Sequence, residues 1–291
     1  MTATRSNPSD IVETPSRINY DYITIQITES RIDKGLIAIP RPLTDVFPEE
    51  NTDIQVYLGR ETKPEKKNYT SYKSSTRESR IGGMSHWFEE NNIQAGDEVV
   101  IQVLDRDMHV YRLMPEEDFI HGAQKLQQEF DAADNETKAS QKMQGIQQLT
   151  GRRQMEVALR EFHRLTDDKR KKRQVTEREI SRSKESIPYN LKVLLRQIYQ
   201  GHCQVCDFTF FKSDYSPYFE VHHIHPDYGH HPKNLLVVCG NCHNRFEYAA
   251  SDCRFDTEGW LQKVSFNNGP YRPVRHVLPR VKLSRIKRTY L

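Results

Sequence analysis

Residues 202–247 read HCQVCDFTFFKSDYSPYFEVHHIHPDYGHHPKNLLVVCGNCHNRFE. Four of the chain's five cysteines fall here, as two Cys-x-x-Cys pairs, Cys203/Cys206 and Cys239/Cys242, with 32 residues between them. Each pair makes a tight knuckle, and two knuckles offer four thiolates at about 2.3 Å to one tetrahedral zinc ion. An iron–sulfur centre or redox thiols are the competing readings of the same residues. A structural zinc contributes on the order of 10 kcal/mol to the folding of such a module. The paired spacing suits metal binding in a reducing compartment better than a disulfide framework. Cys253 is left over as an ordinary free thiol.

The histidines form a separate set. FEVHHI (219–224) reads as a strand, and neighbours on a strand face opposite sides, so His222 and His223 serve different roles. Asn234 opens the apolar run 235–238, and Cys242-His243 begins a helix, NCHNRFEYAA. Upstream, Ile187, Leu191, Leu194, Leu195 and Ile198 make a helical stripe. Pro188 suits its first turn and Gly201 its C-terminal cap.

EVHHI, NLLVVC and Cys-x-x-Cys-His, in that order within residues 186–250, resemble the HNH nuclease family, also called ββα-metal. The resemblance implies that His223 is the general base, that His222 and His243 hold one divalent ion (Mg²⁺ or Mn²⁺), and that Asn234 fixes the backbone carrying the base. An imidazole with a pKa of about 6.5 suits proton abstraction at neutral pH. The chain departs from the family at Glu247, where many relatives carry a second helix histidine; ligand and surface carboxylate both remain open for it. His230 and His231 stand where relatives often have glycine; with His225 they read as DNA-facing or solvated. A zinc module that binds DNA without cutting it would explain the cysteines but not the joint presence of His222, His223, Asn234 and His243.

The first half of the chain is β-rich. After a polar lead-in (1–17), Ile23, Ile25 and Ile27 alternate with polar residues, as do Ile54, Val56 and Leu58, and later Val99, Ile101 and Val103. Period-two alternation marks half-buried strands. Residues 35–39 and 109–114 read as two more. Residues 43–47 make a short helix, 59–83 a long loop or ragged hairpin, and Ser85 caps a helix over 86–90. Strands at this spacing indicate a small open barrel. GLIAIPRPLTDVFP, then GGMSHWFEENNIQAGDEVVIQVLD and VYRLM, resemble the DNA-binding pseudobarrel of plant transcription factors, related to effector domains of some bacterial restriction endonucleases. The resemblance covers 18–115 and implies two DNA-gripping arms. One is Glu29–Lys34, with Arg31 and Lys34; the other lies in 60–81, with Lys63, Lys66, Lys67, Tyr69, Tyr72, Lys73, Arg77 and Arg80.

Residues 116–185 read as a helical connector with amphipathic stripes at Phe119, Ala123, Leu126, Phe130 and at Met155, Ala158, Leu159, Phe162, Leu165, broken at 131–136. KRKKR at 169–173 is either a phosphate contact or a solvated face. Residues 251–291 read as a basic extension, with a hairpin over 254–266. The net charge is only +3, but 259–291 holds eight Lys/Arg and no Asp/Glu, and 60–80 holds seven against three. Such local excess marks either a polyanion partner or a solvated surface.

The expected whole is a multidomain α+β protein: a flexible 1–17, a pseudobarrel 18–115, a connector 116–185, a zinc-stapled HNH domain 186–250 and a basic tail 251–291. The expected activity is sequence-specific cleavage of double-stranded DNA of the restriction type, leaving 5′-phosphate and 3′-hydroxyl ends. A homodimer would cut both strands. The alternatives are a nuclease that reads modified cytosine and a non-catalytic DNA-binding regulator. No apolar leader and no run of about 18 apolar residues is visible. A cytoplasmic, bacterial-type setting is expected, with no membrane and no small-molecule cofactor.

Overall fold

The structure is a computed structural model, described for residues 11–72, 78–167, 186–277 and 283–291. The chain divides into two compact units: 1–127, 145–152 and 284–291 in one, 128–144 and 153–283 in the other.

The first unit is built on a nine-stranded mixed sheet. Its strands are β1 (Ile11–Pro15), β2 (Tyr22–Gln26), β3 (Leu36–Ile39), β4 (Thr52–Leu58), β5 (Glu65–Thr70), β6 (Ser79–Gly82), β7 (Glu98–Asp105), β8 (Val110–Pro115) and, from the far end of the chain, β14 (Ile286–Tyr290). The order is β1-β14-β2-β7-β8-β4-β5-β6-β3. Pairing is antiparallel except for β14 with β2 and β4 with β8. Alternation places Ile25, Ile54, Val56, Ile81, Val99, Ile101 and Leu113 in one core with Met84, Trp87 and Tyr290. Phe47 stacks on Tyr111 with centroids 4.3 Å apart and on Tyr69 at 5.2 Å.

The strand of alternating isoleucines has the expected period, but its polar member Thr24 is fully buried as well. β14 covers β2, and the Thr24 hydroxyl bonds Thr289 (3.0 Å) and Glu98. Two local expectations change. The turn after β3 is a 3₁₀ helix, Arg41–Val46, and of the short helices α1 (Glu29–Asp33) and α2 (Ser85–Glu90) the second is capped by Met84 rather than Ser85. The Met84 N–H bonds the Gly35 carbonyl at 2.9 Å, so a tertiary contact sets where that helix starts. Within the stretch expected as a long loop or ragged hairpin, β5 and β6 pair antiparallel as a hairpin, with 73–77 outside the described residues.

Three helices follow, α3 (Glu116–Asp131), α4 (Glu136–Thr150) and α5 (Gln154–Asp167), where two amphipathic runs were expected. The KRKKR run lies outside the described residues. In the second unit, α6 (Tyr189–Tyr199) buries Leu191, Leu194, Leu195 and Ile198. Glu136 accepts from Lys192 and Arg196 on α6, and Arg164 bridges Asp131 and Glu161. The hairpin β9 (Glu220–His223) with β10 (Leu235–Val238) precedes α7 (Gly240–Tyr248). A three-stranded sheet then forms from β11 (Ser251–Phe255), β12 (Leu261–Phe266) and β13 (Arg272–Pro273). Leu261, Val264 and Val274 pack on Leu236, Val238 and the cysteines in one core.

The expected single tail over 251–291 is therefore split. Residues 251–277 belong with the second unit, and 286–290 pair as β14 in the sheet of the first. Lys287 pairs with Glu98 (2.9 Å) and Glu116 (2.8 Å), and Arg288 with Glu13 (2.8 Å). These two cations are committed to carboxylates within the fold, against their expected use in tracking phosphate. Arg280 and Lys282 lie outside the described residues. The α+β fold class holds. Among the described residues no helix is long and apolar enough to cross a membrane.

Candidate active site

The helix α6 ends where Gln200 takes a left-handed conformation (φ 51°), so the cap is Gln200, with Gly201 (φ 80°) immediately after it. A Cβ on Gly201 would lie 2.6 Å from the Pro217 Cβ; only glycine lets the chain turn so tightly into the first knuckle. Gln204, almost fully buried, fastens that knuckle. Its backbone N–H donates to Val237 O (2.9 Å), its Oε1 accepts from Val237 N (2.8 Å), and its Nε2 donates to Arg275 O (2.8 Å). The second knuckle sits at the start of α7, with Cys239 as its cap and Cys242 in its first turn.

The four sulfurs lie within 4.8 Å of one another, and Cys206 Sγ is 3.7 Å from Cys239 Sγ. A tetrahedron with metal–sulfur bonds of about 2.3 Å has edges of about 3.8 Å, so the cluster fits a zinc ion. Hydrogen bonding from Cys242 brings the Cys203 thiol down to about 4, while the same contact and burial push Cys242 up. Burial raises Cys206 as well. Four close thiols cannot all ionise without a cation to share the charge, which a divalent ion supplies. Cys253, half-buried beside this core, is held protonated by burial.

β9 pairs His222 with Leu236 and His223 with Leu235, and the strand sends the two imidazoles to different neighbourhoods. His222, 9% exposed, stacks on Phe246 (4.4 Å) and meets His243 edge-on (5.5 Å). Glu247 Oε1 lies 3.9 Å from His222 Nδ1 and 3.8 Å from His243 Nε2. The three side chains bring one ligand atom each within 4.8 Å of the others; two imidazoles and a carboxylate suit a divalent ion. The structure thus places Glu247 with the two histidines, a grouping the sequence left open. His243 Nδ1 donates to Glu220 Oε2 at 3.1 Å, and the Tyr218 hydroxyl donates to Glu220 Oε1. Neither Glu220 nor Tyr218 was singled out from sequence. Glu220 stands two residues before His222, on the same face of β9, and that spacing was the available signal.

His223 faces the loop after β9, where its Nε2 is 3.0 Å from His230 Nδ1. Asn234, 2% exposed, closes that loop: Oδ1 accepts from His225 N (2.9 Å), and Nδ2 donates to His225 O and Gly229 O (both 2.9 Å). His231, expected from sequence to be DNA-facing or solvated, is partly buried and bonded within its own unit. Its Nδ1 accepts from Lys233 N (3.2 Å) and its Nε2 lies 3.2 Å from Thr166 O on α5. His225 is exposed, stacked at 5.9 Å on Phe255.

Residues 203–247 match the family model of the HNH endonucleases. The chain carries an HNH endonuclease domain. Its ββα core is β9, β10 and α7, stapled by the cysteine cluster. No curated protein matches the sequence. Two solved structures are similar over the first part of the chain. The Arabidopsis FUS3–DNA complex is 10% identical, covering 32% of this chain and 92% of that one, with a TM-score of 0.27. The Arabidopsis thaliana LEC2–DNA complex is 13% identical, covering 37% and 95%, also with a TM-score of 0.27.

The residues expected to grip DNA divide. Arg31, Lys34, Tyr72 and Arg80 line one open cavity of about 500 Å³ with Glu78. Arg80 Nη2 donates to Tyr72 Oη at 2.8 Å, and the guanidinium sits over the same ring. Lys34 and Arg80 are exposed. Arg31 turns inward, its side chain 11% exposed, bonding Gln26 O and lying 3.6 Å from Glu78. Lys67 is likewise inward, bonded to Gly83 O (2.8 Å) and Glu65 (2.9 Å). Both have structural partners where free phosphate contacts were expected. Tyr69 is fully buried against Phe47 and is a core residue, not a DNA contact. Lys63 and Lys66 are exposed, with Lys66 beside Asp53 (2.8 Å). Lys73 and Arg77 lie outside the described residues.

Proposed function

We propose that the protein is a sequence-specific endonuclease of the restriction type acting on double-stranded DNA. The observation that carries this is the joint placement, on one short strand, of His222 toward His243 and Glu247 and of His223 toward a loop clamped by Asn234. A zinc module with a binding role alone has no use for that second cluster.

In this reading His223 takes a proton from the water that attacks phosphorus, the bond to the 3′ oxygen breaks, and that oxygen takes a proton from solvent, leaving 5′-phosphate and 3′-hydroxyl ends. His222, His243 and Glu247 would hold one divalent ion, Mg²⁺ or Mn²⁺. When bound, that ion supplies the positive charge that stabilises the crowded phosphate and the poor alkoxide leaving group. Glu220 orients His243 by occupying its Nδ1. Asn234 fixes the turn that follows the base. Cys203, Cys206, Cys239 and Cys242 would hold zinc and keep α7 in register with the hairpin. Lys34, Arg80, Tyr72, Lys63 and Lys66, with Lys73 and Arg77, would meet DNA on the first unit; Arg31 and Lys67 would support that surface from beneath. One active site cuts one strand, so double-strand cleavage calls for a two-fold homodimer. A reducing, cytoplasmic setting would suit cysteines that hold zinc.

The test is a digest of plasmid and genomic DNA, methylated and unmethylated, with Mg²⁺ or Mn²⁺. Fragment ends are then sequenced for wild type and His223→Ala. Cleavage at a fixed site by wild type alone is expected. Equal cutting by both removes His223 from the mechanism, and a salt-dependent gel shift without cleavage by either points to a regulator. Cleavage confined to methylated DNA would make the enzyme modification-dependent.

A further inference from the structure

The loop over Gly229–His231 carries two imidazoles, and the structure gives them different tasks. His231 is consumed in holding the loop, through Lys233 N and Thr166 O. His230 is aimed at His223, with Nδ1 3.0 Å from His223 Nε2 and ring centroids 5.1 Å apart. Its backbone is fixed independently. Asn234 Nδ2 holds the carbonyl of Gly229, the residue just before it, and Gly229 takes φ 57°, a conformation that costs glycine little.

Building on the nuclease reading, we propose that His230 is a positioning residue for the general base. A hydrogen bond from His223 Nε2 to His230 Nδ1 fixes the ring plane and the tautomer of His223, so that Nδ1 is the nitrogen that takes the proton. A neutral His223 able to accept on Nδ1 carries its hydrogen on Nε2, and that hydrogen is donated to His230 Nδ1. His230 must then be neutral, with its own hydrogen on Nε2. When His223 gains the proton from water it becomes an imidazolium, and its Nε2–H donates a charge-assisted, stronger hydrogen bond to His230. An imidazole thereby does for His223 what an orienting acceptor does for any catalytic histidine. Asn234 acts one step further out: it sets Gly229, which sets His230, which sets His223.

The experiment compares wild type, His223→Ala, His230→Ala and His230→Asn, all full-length and zinc-loaded. Asparagine is chosen because its Oδ1 stands at the same remove from the backbone as the imidazole Nδ1 and can accept the same hydrogen bond. His230→Ala is expected to lower kcat about 10–100-fold, with KM for DNA unchanged, and His230→Asn to restore most of the rate. Nitrogen NMR of the imidazoles, without added Mg²⁺ or Mn²⁺, should find the Nε2–H tautomer on both His223 and His230, and mixed tautomers of His223 in His230→Ala. An inactive wild type overturns the nuclease reading and this inference with it. An active wild type beside a His230→Ala protein of undiminished kcat, or with His223 carrying its hydrogen on Nδ1, overturns the inference alone.

Discussion

Glu220 accepts a hydrogen bond from His243, with Oε2 3.1 Å from Nδ1, and so determines that Nε2 is the nitrogen presented to Glu247. Tyr218 anchors the carboxylate from the other side, and the Tyr218 hydroxyl, pushed up to about 12 chiefly by its hydrogen bond to Glu220, remains a donor at neutral pH. Replacing the partner of a metal-binding histidine typically costs 10–100-fold in affinity. Glu220→Gln is therefore expected to weaken Mn²⁺ binding by about 10–100-fold in titration calorimetry, with the zinc content unchanged.

Glu247 is exposed, with 42% of its side chain accessible. Glu247→Ala should leave the melting temperature almost unaltered, since surface substitutions usually stay within about 0.5 kcal/mol. Mn²⁺ affinity and cleavage should both fall, and Glu247→His should recover both. An affinity equal to wild type in Glu247→Ala would make this carboxylate a bystander.

The cysteine cluster is part of the same core as Leu236, Val238, Leu261 and Val264. Its loss should therefore unfold the second unit rather than merely inactivate it. Cys206→Ser, or chelation of wild type, is expected to release one zinc per chain and make 186–277 sensitive to protease. Metal analysis and limited proteolysis measure the two effects together. Structural zinc is worth on the order of 10 kcal/mol, more than the whole stability of many domains.

β14 is held by an electrostatic lock that responds to acid. Burial opposes ionisation of Glu98, but hydrogen bonds from Thr24, Lys287 and Thr289 outweigh it and hold the carboxyl below its ordinary 4.5. A depressed carboxylate contributes stability that is complete above 4.5 and disappears as pH falls through the lower, folded value. Protection against amide exchange at Arg288–Tyr290, relative to the intrinsic rate, should accordingly fall below pH 4.5 before the rest of the sheet opens. Lys287→Ala should reproduce the loss at neutral pH, at a cost of roughly 1.5–3 kcal/mol.

On the DNA face, Lys34→Ala and Arg80→Ala should each reduce the slope of log affinity against log salt by about one. Lys67→Ala should instead lower the melting temperature, because its ammonium bonds the Gly83 carbonyl within the fold. Binding titrations at several salt concentrations, with thermal melts of the free proteins, separate the two classes.

The sequence by itself determined the HNH motif of residues 203–247 and the α+β class. Cys-x-x-Cys knuckles and alternating isoleucines are local patterns, written in residue types at fixed spacings, and they need no knowledge of the partner. It also separated His222 from His223, because strand geometry sends neighbours to opposite sides. What it did not contain were relationships between distant segments. Whether Glu247 joins His222 depends on how α7 lies against β9. Whether Arg31 and Lys67 are free depends on Glu78 and Gly83, far away along the chain. The clearest case is the C-terminus: a basic tail by composition, it is an inner strand by pairing, because Thr24 and Glu98 offer Thr289 and Lys287 a buried set of partners that solvent and phosphate do not. Charge and period are properties of a segment; burial and pairing belong to the fold.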